Sequence, residues 1–274
     1  MGDSIDINLY KSLCDADDRN TELKKYDDLK LLYQFSAARR NLLDWYEFDP
    51  GAELLEIGSE CGALTELFSQ RVKRVVSIEK SQDMAEINKY RNRTAENVEI
   101  ICTDLESFET EQSFKYIVLA GVIEKASDYM KTEKPAADLL KKVSSLLAED
   151  GEIIFAASNM MGLQYLAGLA DERTGIAFEG ISKDSGLYTR SMLQKLFDEA
   201  GLKVTETYYP IPDYRMPEFI YSDEYQPLPG DYSLSPFSYS ENSYKMFDET
   251  KAADVLLENG EWDNYANSYL FILK

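Results

Sequence analysis

The residues of this chain best placed to do chemistry lie between Glu53 and Leu67, in the stretch ELLEIGSECGALTEL. A short apolar run of Leu54, Leu55 and Ile57 meets a turn containing Gly58, Ser59 and Gly62, and passes at once into a helical pattern of Leu64, Leu67 and Phe68. Glycines let backbone approach a ligand closely, while the helix behind them offers unpaired N–H groups. A second apolar run, Val75 to Glu79, ends in a carboxylate where a ribose diol needs an acceptor for its two hydroxyls, with Lys80 beside it. Strand, turn, helix, strand and acid in this order open a nucleotide-binding βαβ unit.

Detail narrows the ligand. Dinucleotide binders place G-x-G-x-x-G under a pyrophosphate, whereas this turn reads Glu56-x-Gly58-x-Glu60-x-Gly62. Two carboxylates are badly placed for a pyrophosphate and tolerable for a ligand carrying an ammonium, a sulfonium and a ribose. S-adenosylmethionine is such a ligand. Each residue also has a purely structural alternative: Gly58 and Gly62 serving a tight turn, Glu79 an exposed strand end, Asp104 a turn cap.

The elements that must position these residues follow from spacing. Residues 1–26 read as a loosely held arm or short helix. Helical periodicity from Asp27 to Tyr46 predicts one helix against the sheet edge or over the ligand, and the DPG turn at Asp49 to Gly51 separates it from the first strand. A helix capped by Ser81 leads to a third strand, Val98–Cys102, which ends at Asp104, Leu105 and Glu106. The fourth strand, Tyr116–Ala120, stops at Gly121. A helix over Ala136–Leu147 and a turn at Asp150–Gly151 lead to the fifth, Glu152–Ala157. Thr189 caps a helix that Gly201 ends, and Leu202–Tyr209 is a further strand.

Strands alternating with helices predict a doubly wound α/β fold, Rossmann-like, with a mostly parallel seven-stranded sheet. The expected organisation is an N-terminal arm and helix over 1–48, a core over 49–209, an inserted Tyr/Pro-rich cap over 210–263 with no regular sheet element, and a final strand within 264–274. Glu124 and Asn159 follow the fourth and fifth strands, where substrates bind in open α/β sheets. The predicted ligand site joins the strand ends bearing Glu56, Glu79, Asp104 and Gly121.

Composition bounds the rest. The 274 residues carry a net charge of −21, which opposes nucleic acid and anionic membranes as partners. Three cysteines, Cys14, Cys61 and Cys102, are spaced neither as a disulfide framework nor as a metal cluster and read as reduced thiols. The acidic N-terminus resembles no secretory signal and no apolar run approaches membrane-spanning length, so the cytoplasm is the expected location. With histidine absent, any proton acceptor is Asp, Glu, Lys, Tyr, Cys or water.

From about Tyr33 onward the chain resembles the class I S-adenosylmethionine-dependent methyltransferases. LLEIGSECGALT looks like their first motif, Glu79 falls at the ribose-binding acid, and Asp104 in CTDLESF at the acid near the adenine amine. YIVLAGVIEKA resembles the fourth motif and LLAEDGEIIFAASN the strand after it. More narrowly, YQFSAARRNLLDWY, AEINKYRNR, NMMGLQYLAG, YYPIPDYRMPEFIYSDEY and YANSYLF resemble a bacterial subgroup associated with surface-polysaccharide glycosyltransferases.

The resemblance implies S-adenosylmethionine as cofactor, a small-molecule or glycan-like acceptor and a glycosyltransferase partner. For a hydroxyl acceptor the base candidates are Glu124, then Asp171. Departures are Glu60 at a family glycine, Ser158 for an acid, and Gln34 and Arg173 for histidines. They leave open a catalytically degenerate binding or assembly module. An RNA adenine dimethylase, similar at GALTELFSQRVKRVV, ranks below both because GVIEKA stands where an NLPY-type segment belongs and the charge is wrong for RNA.

Overall fold

Aliphatic runs separated by helical spacing build one eight-stranded sheet in the computed structural model, which describes residues 5–26, 28–170, 175–181, 186–232 and 246–274. The strands β1 (Glu53–Ile57), β2 (Arg74–Glu79), β3 (Val98–Cys102), β4 (Phe114–Ala120) and β5 (Leu147–Ser158) are parallel neighbours in the order β3-β2-β1-β4-β5. Three more, β6 (Val204–Ile211), β7 (Phe219–Ser222) and β8 (Ser268–Leu273), extend the sheet past β5 as β8-β6-β7, all in antiparallel pairings. Strand order reverses between β1 and β4, and a crevice beyond the C-terminal ends of such a pair is the ligand position of open α/β sheets.

Before the sheet come α1 (Ile7–Asp15), α2 (Arg19–Leu23) and α3 (Leu29–Phe35); α4 (Ala63–Ser69) follows β1 and α5 (Gln82–Arg91) follows β2. After β4 come α6 (Ala126–Tyr129) and α7 (Pro135–Ser145), after β5 α8 (Leu163–Leu166) and α9 (Arg190–Glu199), and between β7 and β8 lies α10 (Glu249–Glu258). One face of the sheet buries Ile117, Phe155, Leu139, Phe197 and Trp262 together; the other packs Leu54, Val75 and Ile154 against Leu67 and Phe68 of α4. Among the described residues no helix is long and apolar enough to cross a membrane.

Four expectations are corrected. The sheet has eight strands, because Phe219–Ser222 inside the expected cap pairs with β6. Pro210 does not prevent this: it lies past Tyr208, the last β6 residue paired with β8, where the ladder has one partner only. The helix expected from Asp27 is broken at Ser36, which caps a 3-10 turn over Ala37–Leu42 by accepting from Ala38 N at 3.2 Å. The Asp150–Gly151 turn is instead taken into β5, where the register against β4 shifts between Phe114 and Tyr116.

Residues 7–23, lastly, form two helices that are packed down. Leu13, Leu23, Leu31 and Phe35 share a core with Cys61 and Ile87. Arg91 ties that core to the glycine turn, its guanidinium donating to Glu66 Oε2 at 2.8 Å and to the Gln34 carbonyl at 2.8 Å. The N-terminal helices therefore lie over the turn after β1, and α3 delivers Gln34 and the residues that follow it to the crevice.

Candidate functional site

The turn after β1 is set by its backbone. Gly58 has φ +70, and a Cβ there would come within 2.8 Å of Val122 Cγ2 and 2.9 Å of the Tyr129 hydroxyl, so only glycine fits. Gly62, at φ +81, precedes α4, and its missing Cβ makes room for Asn88 Oδ1, which would lie 2.2 Å away. That glycine is demanded by α5 packing from below. Between them Glu60 adopts φ +48, a left-handed backbone that disfavours a side chain.

Glu79, at the end of β2, faces this turn. Its Oε2 accepts from Glu60 N at 2.9 Å and its Oε1 from Ser81 N at 2.8 Å, which leaves further lone-pair capacity on both oxygens. Burial pushes its carboxyl up, and the two N–H groups only partly offset that. Glu56 is 4% exposed, with Oε2 accepting from Thr65 Oγ1 at 2.5 Å and from Ser77 Oγ at 3.1 Å. Burial raises it to about 7 against those two hydrogen bonds. Beneath it the Asn88 amide donates to Thr65 Oγ1 at 3.1 Å and Ser77 Oγ at 3.5 Å, the two hydroxyls that hold Glu56, and to Ser59 Oγ at 2.9 Å.

A cleft opens above this network, lined by Gln34, Arg39, Glu56, Gly58, Glu60 and Ala120 among others. Arg39 is 8% exposed; its guanidinium donates to the Tyr214 carbonyl at 2.9 Å and lies 5.7 Å from the Tyr214 ring centroid. Tyr214 in turn places its hydroxyl against Gly121, where a Cβ would meet it at 2.3 Å. Glu60 accepts from the Gln34 amide and pairs with Lys125 Nζ at 3.6 Å. Burial pushes its carboxyl up, but Lys125, Gln34 and Arg39 outweigh that and hold it below the ordinary range.

Glu124 lies just past β4, its Oε1 accepting from Ser158 N at 2.8 Å; its Oε2 is buried without a hydrogen-bond partner among the described residues. Burial raises its carboxyl despite the Ser158 N–H. Asn159 is fully buried and spent on the protein's own backbone, donating to the carbonyls of Asn264 at 2.9 Å and Ala266 at 2.8 Å and accepting from Met161 N at 3.0 Å. Asp104 caps a turn by accepting from Ser107 N at 2.8 Å, Leu105 is buried in the core, and Lys80 pairs with Asp128 at 3.0 Å. Asp171 and Arg173 lie outside the described residues.

The fold thus gathers Glu56, Gly58, Glu60, Glu79 and Gly121 at one crevice and adds two residues that spacing did not single out. Arg39 continues the i, i+4 stripe of Leu31 and Phe35, and a cation on an apolar stripe was its available signal. Tyr214 had no local signal beyond its place in YYPIPDYRMPEFIYSDEY, since it reaches Gly121 from far along the chain.

A family model described as a methyltransferase domain matches residues 30–207. Nodulation protein S of Rhizobium tropici is 24% identical over 128 residues, covering 47% of this chain and 52% of that protein. A S-adenosylmethionine-dependent methyltransferase from Clostridium acetobutylicum superposes with a TM-score of 0.55 at 13% identity, covering 93% of this chain and 98% of that one. Phosphoethanolamine N-methyltransferase 1 of Haemonchus contortus, solved with phosphoethanolamine and S-adenosylhomocysteine, gives a TM-score of 0.52 at 15% identity, covering 78% of this chain and 46% of that one. The chain spans about half the length of the nodulation protein and of the Haemonchus enzyme. At such identities the solved structures speak to the fold.

Proposed function

Because the chain belongs to the methyltransferase-domain family, we propose that it transfers a methyl group from S-adenosylmethionine to a small-molecule acceptor. The observation that carries this reading is Glu79, a buried carboxylate at the end of β2 beside the turn after β1, held by that turn's own N–H and by Ser81 N, with capacity left for a ribose diol. The other residues suit the same ligand. Arg39 is the buried cation for an α-carboxylate, Glu56 is a carboxyl group for an ammonium, and two acids in the turn oppose a pyrophosphate.

Bound there, S-adenosylmethionine supplies a methyl group already activated by the sulfonium charge. The protein's part is then largely placement, holding cofactor and acceptor at near-attack distance. Glu124 is the base for a hydroxyl acceptor, and its raised pKa makes it a stronger base than a free carboxylate; its Oε2 is buried and must be uncovered when the acceptor binds. A glycan-like acceptor and a glycosyltransferase partner are the finer form of this reading, supported by the subgroup resemblance of YYPIPDYRMPEFIYSDEY and its companions.

A second reading, a binding module without turnover, is favoured by Glu60, which puts a side chain where the family keeps a glycine. Calorimetry with S-adenosylmethionine and S-adenosylhomocysteine, followed by methyl-transfer assays on nucleotide-sugar and oligosaccharide acceptors, separates the two: binding without any transfer supports the module. Glu79→Ala is expected to weaken cofactor binding by roughly 1.5–3 kcal/mol, the scale of hydrogen bonds to a charged group. Unchanged affinity in that variant, with the fold intact, refutes the assignment.

A further inference from the structure

Glu60 is held at three points, one on its backbone and two on its carboxylate. Its own N–H is tied to Glu79 Oε2 at 2.9 Å, its Oε2 takes the Gln34 amide, and its Oε1 faces Lys125 Nζ at 3.6 Å. The Lys125 contact is the loose one. Lys125 keeps 48% of its side-chain surface exposed, and 3.6 Å is beyond a direct hydrogen bond, so the ammonium can return to water at small cost. Glu60 itself lines the cleft, ionised, with 42% of its side chain still open.

We propose that Glu60 makes the cleft discriminate S-adenosylmethionine from S-adenosylhomocysteine, with Lys125 as the internal counter-ion that the charged cofactor displaces. The inference rests on the reading above, in which the methionine end of the cofactor occupies this cleft. The two ligands share adenine, ribose, ammonium and carboxylate and differ by one methyl and its positive charge. Whatever Glu60 does to the shared groups, including repulsion of the carboxylate, cancels in the ratio of their dissociation constants. Only the sulfonium survives in that ratio. A glycine at this position offers it nothing, whereas an ionised carboxylate in a half-desolvated cleft favours the charged ligand.

The same exchange assists turnover. Loss of the methyl leaves the sulfur neutral, Glu60 is left without its external cation, and Lys125 closes back onto Oε1, so the product is held less tightly than the substrate. Lys125 is drawn to this position by Glu60 first and also by Glu124 and Glu79, which gives the returning ammonium a defined place.

Titration calorimetry on the full chain with both ligands tests this. In Glu60→Gln, which keeps the size and the hydrogen bond to Gln34, the preference for S-adenosylmethionine over S-adenosylhomocysteine is expected to fall about tenfold, or about 1.4 kcal/mol. Glu60→Gly, which relieves the left-handed strain, guards against a folding artefact and should show the same fall. Lys125→Gln should tighten S-adenosylmethionine more than S-adenosylhomocysteine. A preference within twofold of the natural protein in both Glu60 variants, with both ligands still binding, overturns the proposal. Failure of the natural protein to bind either ligand overturns instead the cofactor reading on which it rests.

Discussion

Glu249 is a buried carboxyl group with no hydrogen-bond partner among the described residues. It opens α10, is 0% exposed, and neither of its oxygens finds a hydrogen-bond partner among the described residues. Burial alone raises its pKa from 4.5 to about 7. The folded protein therefore keeps a proton that the unfolded chain gives up once the pH passes 4.5. Between pH 4.5 and 7 the unfolded state gains from ionisation and the folded state does not, so stability falls across this window and is level above it. The difference between the two values corresponds to about 3 kcal/mol.

Glu249→Gln removes the titration while keeping the shape. Its stability relative to the natural protein should rise by about 3 kcal/mol between pH 4.5 and pH 8. Near pH 8 this should appear as a melting temperature higher by roughly 6–12 °C, less whatever the unpaired amide itself costs. Glu56 and Glu124, also raised by burial, shift the pH profile of both proteins alike and cancel in the difference. Thermal unfolding of both proteins from pH 4.5 to 8, with denaturant titrations at the two ends, measures it. A stability difference that does not change with pH would mean that Glu249 is ionised and partnered in the native protein, and the argument from its burial would be wrong.

Gly121→Ala should destabilise the protein by about 1–3 kcal/mol, since it combines φ +79 with a Cβ at 2.3 Å from the Tyr214 hydroxyl. Tyr214→Phe in that background should recover part of the loss, and chemical denaturation that finds no recovery would place the whole cost in the backbone. Arg91→Ala should cost about 1–3 kcal/mol, because loss of the 3%-exposed guanidinium leaves the Gln34 carbonyl short of a donor and Glu66, a quarter exposed, with Arg19 as its remaining cation. Hydrogen exchange is then expected to speed up first in α1–α3; exchange that stays slow there would show the helices to be held by their apolar core alone.

Sequence by itself was enough for whatever depends on neighbours in the chain. Alternation of apolar runs and helical stripes set the order of β1 to β5, Ser81 and Thr189 capped the helices expected of them, and the Gly58–Gly62 turn with Glu79 located the crevice. These follow from side-chain period, cap chemistry and positive φ, all legible within a few residues. The strand at Phe219–Ser222 was not, because what makes it a strand is the β6 ladder and not its own proline- and tyrosine-rich surroundings.

Only the tertiary structure decided how each polar group is spent. Asn159 sits at a strand end where a substrate contact was expected, yet its amide is consumed by Asn264 and Ala266, more than a hundred residues away. Gly62 fits a glycine-rich ligand turn, yet it is Asn88 that needs the space. Arg39 and Tyr214, 175 residues apart, meet over Gly121 and complete the crevice. Hydrogen-bond partners and desolvation are properties of packing, and packing joins residues whose separation along the chain carries no local signal. The sequence could therefore place Glu60, Glu79 and Glu124 near one another, while the fold alone determined which of their oxygens are already paired.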